Sequence, residues 1–462
     1  MAHPWRWLLS SLLLASIAAS AGEPAAAGAA PVAGPRGTDA QRTGKPGESE
    51  AARNTRLRGF RQARLGMFVH WGLYAQAAGR WQGRQIEGYG EWLQANARIG
   101  AADYAQLAAR FNPVEFDADA WVALAREAGM QYLVFTAKHH DGFAMFDSAA
   151  DDYDIVAATP WARDPLAELA RAAAAASLPL GLYYSQNLDW RDPDARGNDW
   201  EPGRRKAGGD FGAYMERKAL PQLRELLDGR YGQIAELWWD YPADASQAEG
   251  DRFRALAWSL QPQLVMNDRG GGRGGDFSTP EQAVPASVAG ERDFEVCMTL
   301  NDTWGYRVDD MRWKSPRQLL GHLADTVSQG GNFLLNVGPD ARGRIPEDSV
   351  RILRRIGAWM QVNGQAIHDA RRCPLPAFDA GVCTATPGRL HLLLKQWPAA
   401  GVLRLRMPFA IRRVILREAP GTQLPWSSER DELQIRLPDS ARDLLLPVLT
   451  LELAQVSAPQ SR

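Results

Sequence analysis

The chain has 462 residues, enough for one main domain and a smaller one. Its 53 basic and 54 acidic residues leave a net charge of −1, so charge supplies no basis for binding nucleic acid or an anionic membrane. Cys297, Cys373 and Cys383 are too few for a disulfide scaffold, and neither CxxC nor HExxH occurs, so no metal-binding signature is present.

Arg6 precedes the apolar stretch 7–19, and Ala19-Ser20-Ala21 reads as a cleavage site. The spacing predicts a signal peptide over 1–21, too short to span a membrane, and an exported protein that is periplasmic or secreted. Residues 22–50, rich in Ala, Gly and Pro, read as a disordered spacer. The next apolar run, 65–69, is a strand ending at His70-Trp71-Gly72. A helix is expected over 117–128 and a strand over 130–135, running into Lys138-His139-His140-Asp141-Gly142-Phe143. Then follow helix 164–177, with Asp164 as cap and Pro165 at its first position, strand 180–184 and helix 211–227. Strand 234–239 ends in Asp240; helix 252–260 and strand 264–266 lead into Asn267-Asp268-Arg269. Strand 294–300, helix 316–328, strand 332–337 and helix 347–362 complete the pattern.

Such alternation predicts an α/β fold, a (β/α) TIM-like barrel over 51–368. A doubly wound open sheet is the alternative, but no GxGxxG follows the first strand. The run Gly270 to Gly275, which contains Arg273, is expected to be a flexible surface loop. Beyond residue 369 short apolar runs at 390–394, 402–407, 411–416, 433–437 and 444–451 predict a C-terminal antiparallel β-sandwich domain, 369–462. Cys373 and Cys383 could close a short loop there, and Cys297, in an apolar stretch, is expected to be a buried thiol.

Parallel sheets build sites at the C-terminal ends of their strands. Those exits collect His70, His139, His140, Tyr184, Asp240, Arg269 and Glu295, beside Trp71, Trp92, Phe143, Trp238 and Trp239. Neutral histidines donate and accept at once, which suits hydroxyls, and flat aromatic rings cover the C–H faces of sugars. Asp240 ends a rigid apolar strand; burial alone would neutralise it, whereas Arg269 and the histidines could hold it ionised, as a glycosyl nucleophile requires. A glycosidase also needs a carboxyl group that gives up a proton. Glu295 and Glu91 both remain open for that role, with Glu281 a weaker third.

The segments Leu65 to Gly72, Gly90-Glu91-Trp92, Phe111-Asn112-Pro113, Lys138 to Phe143 and Leu182-Tyr183-Tyr184-Ser185 occur in one order with Leu237-Trp238-Trp239-Asp240 and Asn267-Asp268-Arg269. Cys297 to Tyr306 and Gly330 to Pro339 follow. Together these resemble glycoside hydrolase family 29 α-L-fucosidases over roughly residues 55–370. The resemblance implies an exo-acting retaining α-L-fucosidase that uses no cofactor and acts on fucosylated oligosaccharides or glycoconjugates. It makes Asp240 the nucleophile and aligns the acid/base with Glu295. His70, Glu91, Trp92, His139, His140, Tyr184, Trp238 and Arg269 would line the fucose pocket. Phe294 departs from the tryptophan usual in such relatives. Two alternatives remain: a metal-dependent barrel hydrolase using His70, His139, His140 and Asp240, and an inactive carbohydrate-binding protein.

Overall fold

A computed structural model describes residues 44–286, 292–419 and 422–454. The expected signal peptide and most of the spacer lie outside the described residues. Eight parallel strands follow one another: β1 Leu65–Val69, β2 Tyr132–Lys138, β3 Leu180–Tyr184 and β4 Ile234–Trp239. The second half is β5 Val265–Met266, β6 Phe277–Ser278, β7 Asp293–Thr299 and β8 Asn332–Val337. Each pairs with its successor from β1 to β5 and from β6 to β8, and β8 pairs with β1. A parallel bridge between Asn267 and Phe277 joins β5 to β6, so the sheet is a nearly closed barrel and not an open, doubly wound one. The short β6 carries too few apolar residues to be visible in the sequence.

The helices start where short polar side chains can take up free N–H groups. Asp117 accepts from the N–H of Ala120 at the start of Ala118–Glu127, and Asp164 does so for Pro165–Ala175. A capping box of Ser246 and Glu249 opens Gln247–Leu260 five residues earlier than apolar spacing predicts. Two short helices, Glu50–Arg56 and Arg58–Ala63, occupy the end of the expected spacer and the chain before β1. Leu57 between them joins the apolar cluster inside the barrel, and Arg56 donates to Asp276 at 2.7 Å and to Glu48 at 2.6 Å.

That interior cluster contains Phe68, Tyr132, Val134, Tyr183, Trp238, Cys297 and Leu334, while the larger cluster fills the space between strands and helices. Gly66 makes room for the interior Tyr132: a Cβ there would stand 2.4 Å from its ring.

The glycine run after β5 is a packed connection to β6 rather than the flexible surface loop expected. The carbonyl of Gly271 accepts from Arg254 at 2.8 Å and lies 2.1 Å from where a Cβ on Gly250 would stand. The loop and the helix Gln247–Leu260 approach this closely because neither has a side chain at the contact.

Beyond the barrel, a five-stranded and a three-stranded antiparallel sheet share a core. Leu392, Val414 and Leu449 come from one sheet, and Leu403, Leu433 and Ile435 from the other. Cys373 and Cys383 are disulfide-bonded, and Cys297 is a buried free thiol. Among the described residues no helix is long and apolar enough to cross a membrane.

Gly250→Ala tests the loop packing. Alanine should favour the helix by about 1 kcal/mol, but its methyl would meet the Gly271 carbonyl, and overpacking costs about 1–3 kcal/mol. The expected result is a lower thermal unfolding midpoint; a raised one would show that the loop yields.

Candidate active site

β1 delivers His70 at its C-terminal end, where Nδ1 stands 2.7 Å from Oδ1 of Asn336 on β8. The Asn336 amide donates to the Trp304 carbonyl, so its Oδ1 accepts and the His70 Nδ1 carries the proton. His70 Nε2 is therefore an acceptor. Burial pushes the His70 pKa down to about 4, which keeps the ring neutral. His139 stacks on Tyr183, with ring centres 5.3 Å apart; its Nδ1 is buried with no partner among the described residues, and burial drives its pKa well down. His140 Nδ1 lies 2.7 Å from Oγ of Ser185, whose hydroxyl donates to the Leu188 carbonyl. His140 therefore donates through Nδ1 and turns Nε2 toward Asp240, 3.5 Å from Oδ2. Burial lowers its pKa to about 4 in spite of that carboxylate.

Asp240 follows β4. Its Oδ2 accepts from the Tyr183 hydroxyl at 2.8 Å, and its Oδ1 from Arg269 Nη1 at 2.9 Å and from the Tyr241 N–H at 2.8 Å. Burial pulls the Asp240 pKa upward, but Arg269 and the Tyr183 hydrogen bond lower it, and the group is held below the ordinary carboxylate value. The side chain keeps 17% of its surface open, so the ionised oxygen is reachable. Arg269 spans two carboxylates: its other terminal nitrogen donates to Glu281 at 3.0 Å, and Nε donates to Thr279 at 2.7 Å. The Trp238 ring lies 5.1 Å beneath the guanidinium.

Glu91 sits on the turn Gly90–Trp92. Its Oε2 accepts from the Gly305 N–H at 2.7 Å, while Oε1 is buried with no partner among the described residues, and burial pushes its pKa up to about 7. Trp92 beside it meets His140 edge to face at 5.2 Å. The structure thus brings His70, Glu91, Trp92, His139, His140, Trp238, Asp240 and Arg269 together at the C-terminal face of the barrel.

Two expected residues are not brought there. Tyr184 points outward and donates to Gln222 in the helix layer at 2.9 Å; Tyr183, one residue earlier, faces inward and reaches Asp240. The register shows why: Tyr183 pairs with the inward-facing Trp238, and a shift of one residue reverses the face. Glu295 lies deep in the barrel with no exposed surface, paired in register with Asn332 at the start of β8. Its carboxylate accepts from Trp238 Nε1 at 2.8 Å and from the Tyr132 hydroxyl, so it supports the floor of the pocket from below. Phe294 faces away from the interior, against Gly331, and forms no wall of the site. Sequence reasoning also passed over Trp304, whose ring lies 5.0 Å from His70; its place in the Cys297 to Tyr306 segment was the available signal.

His139, His140 and Asp240 offer ligand atoms within 4.8 Å of one another, close enough to hold a metal ion. They equally form a ring of acceptors and donors for vicinal hydroxyls.

An ionised aspartate, a second carboxylate across one guanidinium, neutral histidines and tryptophans at the C-terminal face of a (β/α) barrel define a glycoside hydrolase. The α-L-fucosidase family model matches residues 36–365, and the chain belongs to that family. Tissue α-L-fucosidase of Rattus norvegicus is 29% identical over 376 residues, covering 76% of this chain and 79% of the relative. The crystal structure of α-L-fucosidase from Vibrio sp. strain EJY3 is similar with a TM-score of 0.81 at 36% identity, covering 87% of this chain and 73% of that one. A family 29 α-L-fucosidase of Bacteroides thetaiotaomicron, trapped as a covalent intermediate with 2-fluoro-fucosyl fluoride, is similar with a TM-score of 0.78 at 26% identity, covering 90% and 98%.

Removing the Tyr183 hydroxyl should raise the Asp240 pKa, because that bond favours the charged form. Tyr183→Phe should therefore move the acid limb of kcat/KM to higher pH and lower its plateau by about tenfold, the order expected for a hydrogen bond to a charged group. Tyr184→Phe should leave the pH profile in place. A shift in the second variant and none in the first would reverse the assignment.

Proposed function

We propose that Asp240 is the nucleophile and Glu281 the acid/base of an exo-acting, retaining α-L-fucosidase. The observation that carries this reading is the single Arg269 guanidinium joined to both carboxylates, which fits the close spacing of about 5–5.5 Å in retaining glycosidases. In the first step an Asp240 oxygen forms a bond to the anomeric carbon while the glycosidic bond breaks and the leaving oxygen takes a proton from Glu281. In the second, Glu281 removes a proton from water, which attacks the same carbon and frees Asp240.

Glu281 is favoured over Glu91 by position. The sugar of an exo-acting enzyme enters first and the leaving group trails toward solvent, so the proton donor belongs at the rim. The Glu281 side chain is 37% exposed, whereas Glu91 is buried and its Oε1 has no partner among the described residues, which suits it to bind a sugar hydroxyl. His70, His139, His140 and Trp92 bind the remaining hydroxyls and the ring face. The leader over 1–21 supports export, to the periplasm or beyond the cell.

Asp240→Ala should cost on the order of 10³-fold or more in kcat with the fold intact; near-normal turnover would end this mechanism. Glu281→Ala should harm poor leaving groups far more than an activated aryl fucoside, and azide should speed its turnover by replacing the water that lacks a base. Glu91→Ala should cost similar factors across leaving groups. If Glu91→Ala showed the leaving-group dependence and azide rescue while Glu281→Ala did not, the two roles would be exchanged.

The histidines are proposed as ligands of hydroxyls, so activity should survive EDTA. Loss on chelation that zinc restores would favour the metal-dependent reading instead.

A further inference from the structure

β6 ends at Ser278, but the chain keeps company with β7 for a few residues more. Phe277 pairs with Asp293 and Ser278 with Phe294; further on, Glu281 pairs with Cys297 in the same register. The Cys297 N–H donates to the Pro280 carbonyl at 3.1 Å, and the Gln282 N–H donates to the Cys297 carbonyl at 2.9 Å. The backbone of Glu281 is therefore tied to β7 on both sides. In a regular parallel ladder the next rung would join the Thr299 N–H to the backbone carbonyl of Gln282. Here the side chain of Gln282 takes that rung: Oε1 accepts from the Thr299 N–H at 3.2 Å, and Nε2 donates to the Thr299 hydroxyl at 3.1 Å.

The substitution goes with a strained backbone. Gln282 has φ +57°, in the left-handed region, where the chain turns away from β7. A residue other than glycine persists there only when its surroundings fix it. Thr299 is a firm anchor: it is fully buried, and its hydroxyl donates to the Asn301 carbonyl and accepts from Lys314 Nζ at 3.2 Å. One side-chain amide, bound at both ends to one buried residue, thus holds the turn that follows Glu281 directly.

We infer that Gln282 is the positioning residue of the acid/base: its amide, clamped on Thr299, holds Glu281 within reach of the leaving oxygen. The inference rests on the reading of Glu281 as the acid/base and deepens it. A carboxyl group on the rim must stand in one place twice, first to give a proton and then to take one from water, and misplacement by about 1 Å can cost about 100-fold in rate. Arg269 holds Glu281 by charge, at 3.0 Å, and that hold weakens when Glu281 carries the proton it is to donate. The clamp joins neutral groups and acts in both protonation states.

The test uses two substrates of similar size, chloronitrophenyl α-L-fucoside and phenyl α-L-fucoside, which differ in how far the leaving oxygen needs a proton. Gln282→Ala should lower kcat/KM for the phenyl fucoside by about tenfold, part of what general acid catalysis supplies, and leave the chloronitrophenyl fucoside within about twofold. Its kcat on the chloronitrophenyl fucoside should fall, and azide should restore it. Gln282→Gly relieves the left-handed backbone but lacks the amide. It should show the same selective loss, and it carries the test if Gln282→Ala does not fold. Thr299→Val, without the hydroxyl, should repeat the loss, and Thr299→Ser should rescue it. Equal loss on both substrates, or wild-type kinetics in Gln282→Gly, would overturn the inference. Glu281→Ala, run beside these variants, tests the reading underneath. Leaving-group dependence and azide rescue missing from Glu281→Ala would strike the acid/base assignment itself; their presence there and absence from the Gln282 variants would strike the clamp alone.

Discussion

The ion pair between Arg269 and Asp240 is the interaction on which the site depends. Asp240 is mostly enclosed by His140, Tyr183 and the barrel rim, and burial by itself would protonate it and end its use as a nucleophile. Arg269 reverses that balance because its own position is determined elsewhere: Thr279 holds Nε, Glu281 holds one terminal nitrogen, and Trp238 supports the guanidinium face. The arginine enters from the connection between β5 and β6, whose glycines pack it against the helix Gln247–Leu260. The unusual connection in the barrel thus serves the charge at its centre.

The rest of the interior is arranged in polar and apolar levels. At the bottom, Glu295 and Glu236 are both buried, and burial pushes both upward in pKa, with the Glu295 charge adding to the rise at Glu236. The Glu295 carboxyl acts there as hydrogen-bonding structure, with Tyr132 and Trp238 as partners. Phe68 and Trp238 separate this level from the pocket, where the carboxylate that must be ionised meets an arginine and the histidines that must be neutral do not. Buried carboxyls at two levels of one barrel are thus pulled in opposite directions in pKa by their neighbours.

Much of this was legible in the chain. The strands 180–184, 234–239 and 332–337 and the helix 316–328 carry enough apolar periodicity and enough capping residues to mark their own bounds. Asp240, Arg269 and the three histidines were legible because each lies directly at or after the end of a strongly apolar strand. What stayed hidden depends on register and on distant segments. Choosing between Tyr183 and Tyr184 needs the neighbouring strand, because alternation alone leaves two equal phases. Glu295 resembles a strand-end acid in the sequence, but β7 begins at Asp293, so residue 295 lies at the bottom of the strand and not at its exit. Glu281 sits in a loop without periodicity, so the sequence ranks it only as a third candidate, and its bond to Arg269 is what brings it forward. The glycine run looked flexible because its partner glycine, Gly250, belongs to a helix whose first turn was itself missed.

The central claim, that Asp240 is the carboxylate held ionised to bond the sugar, is tested most directly by covalent labelling. The protein would be treated with 2-fluoro-fucosyl fluoride, digested and its peptides analysed by mass spectrometry. The account predicts one fluorofucosyl adduct, on the peptide that contains Asp240. An adduct on Glu281 or Glu91, or turnover without any labelled enzyme, would contradict it.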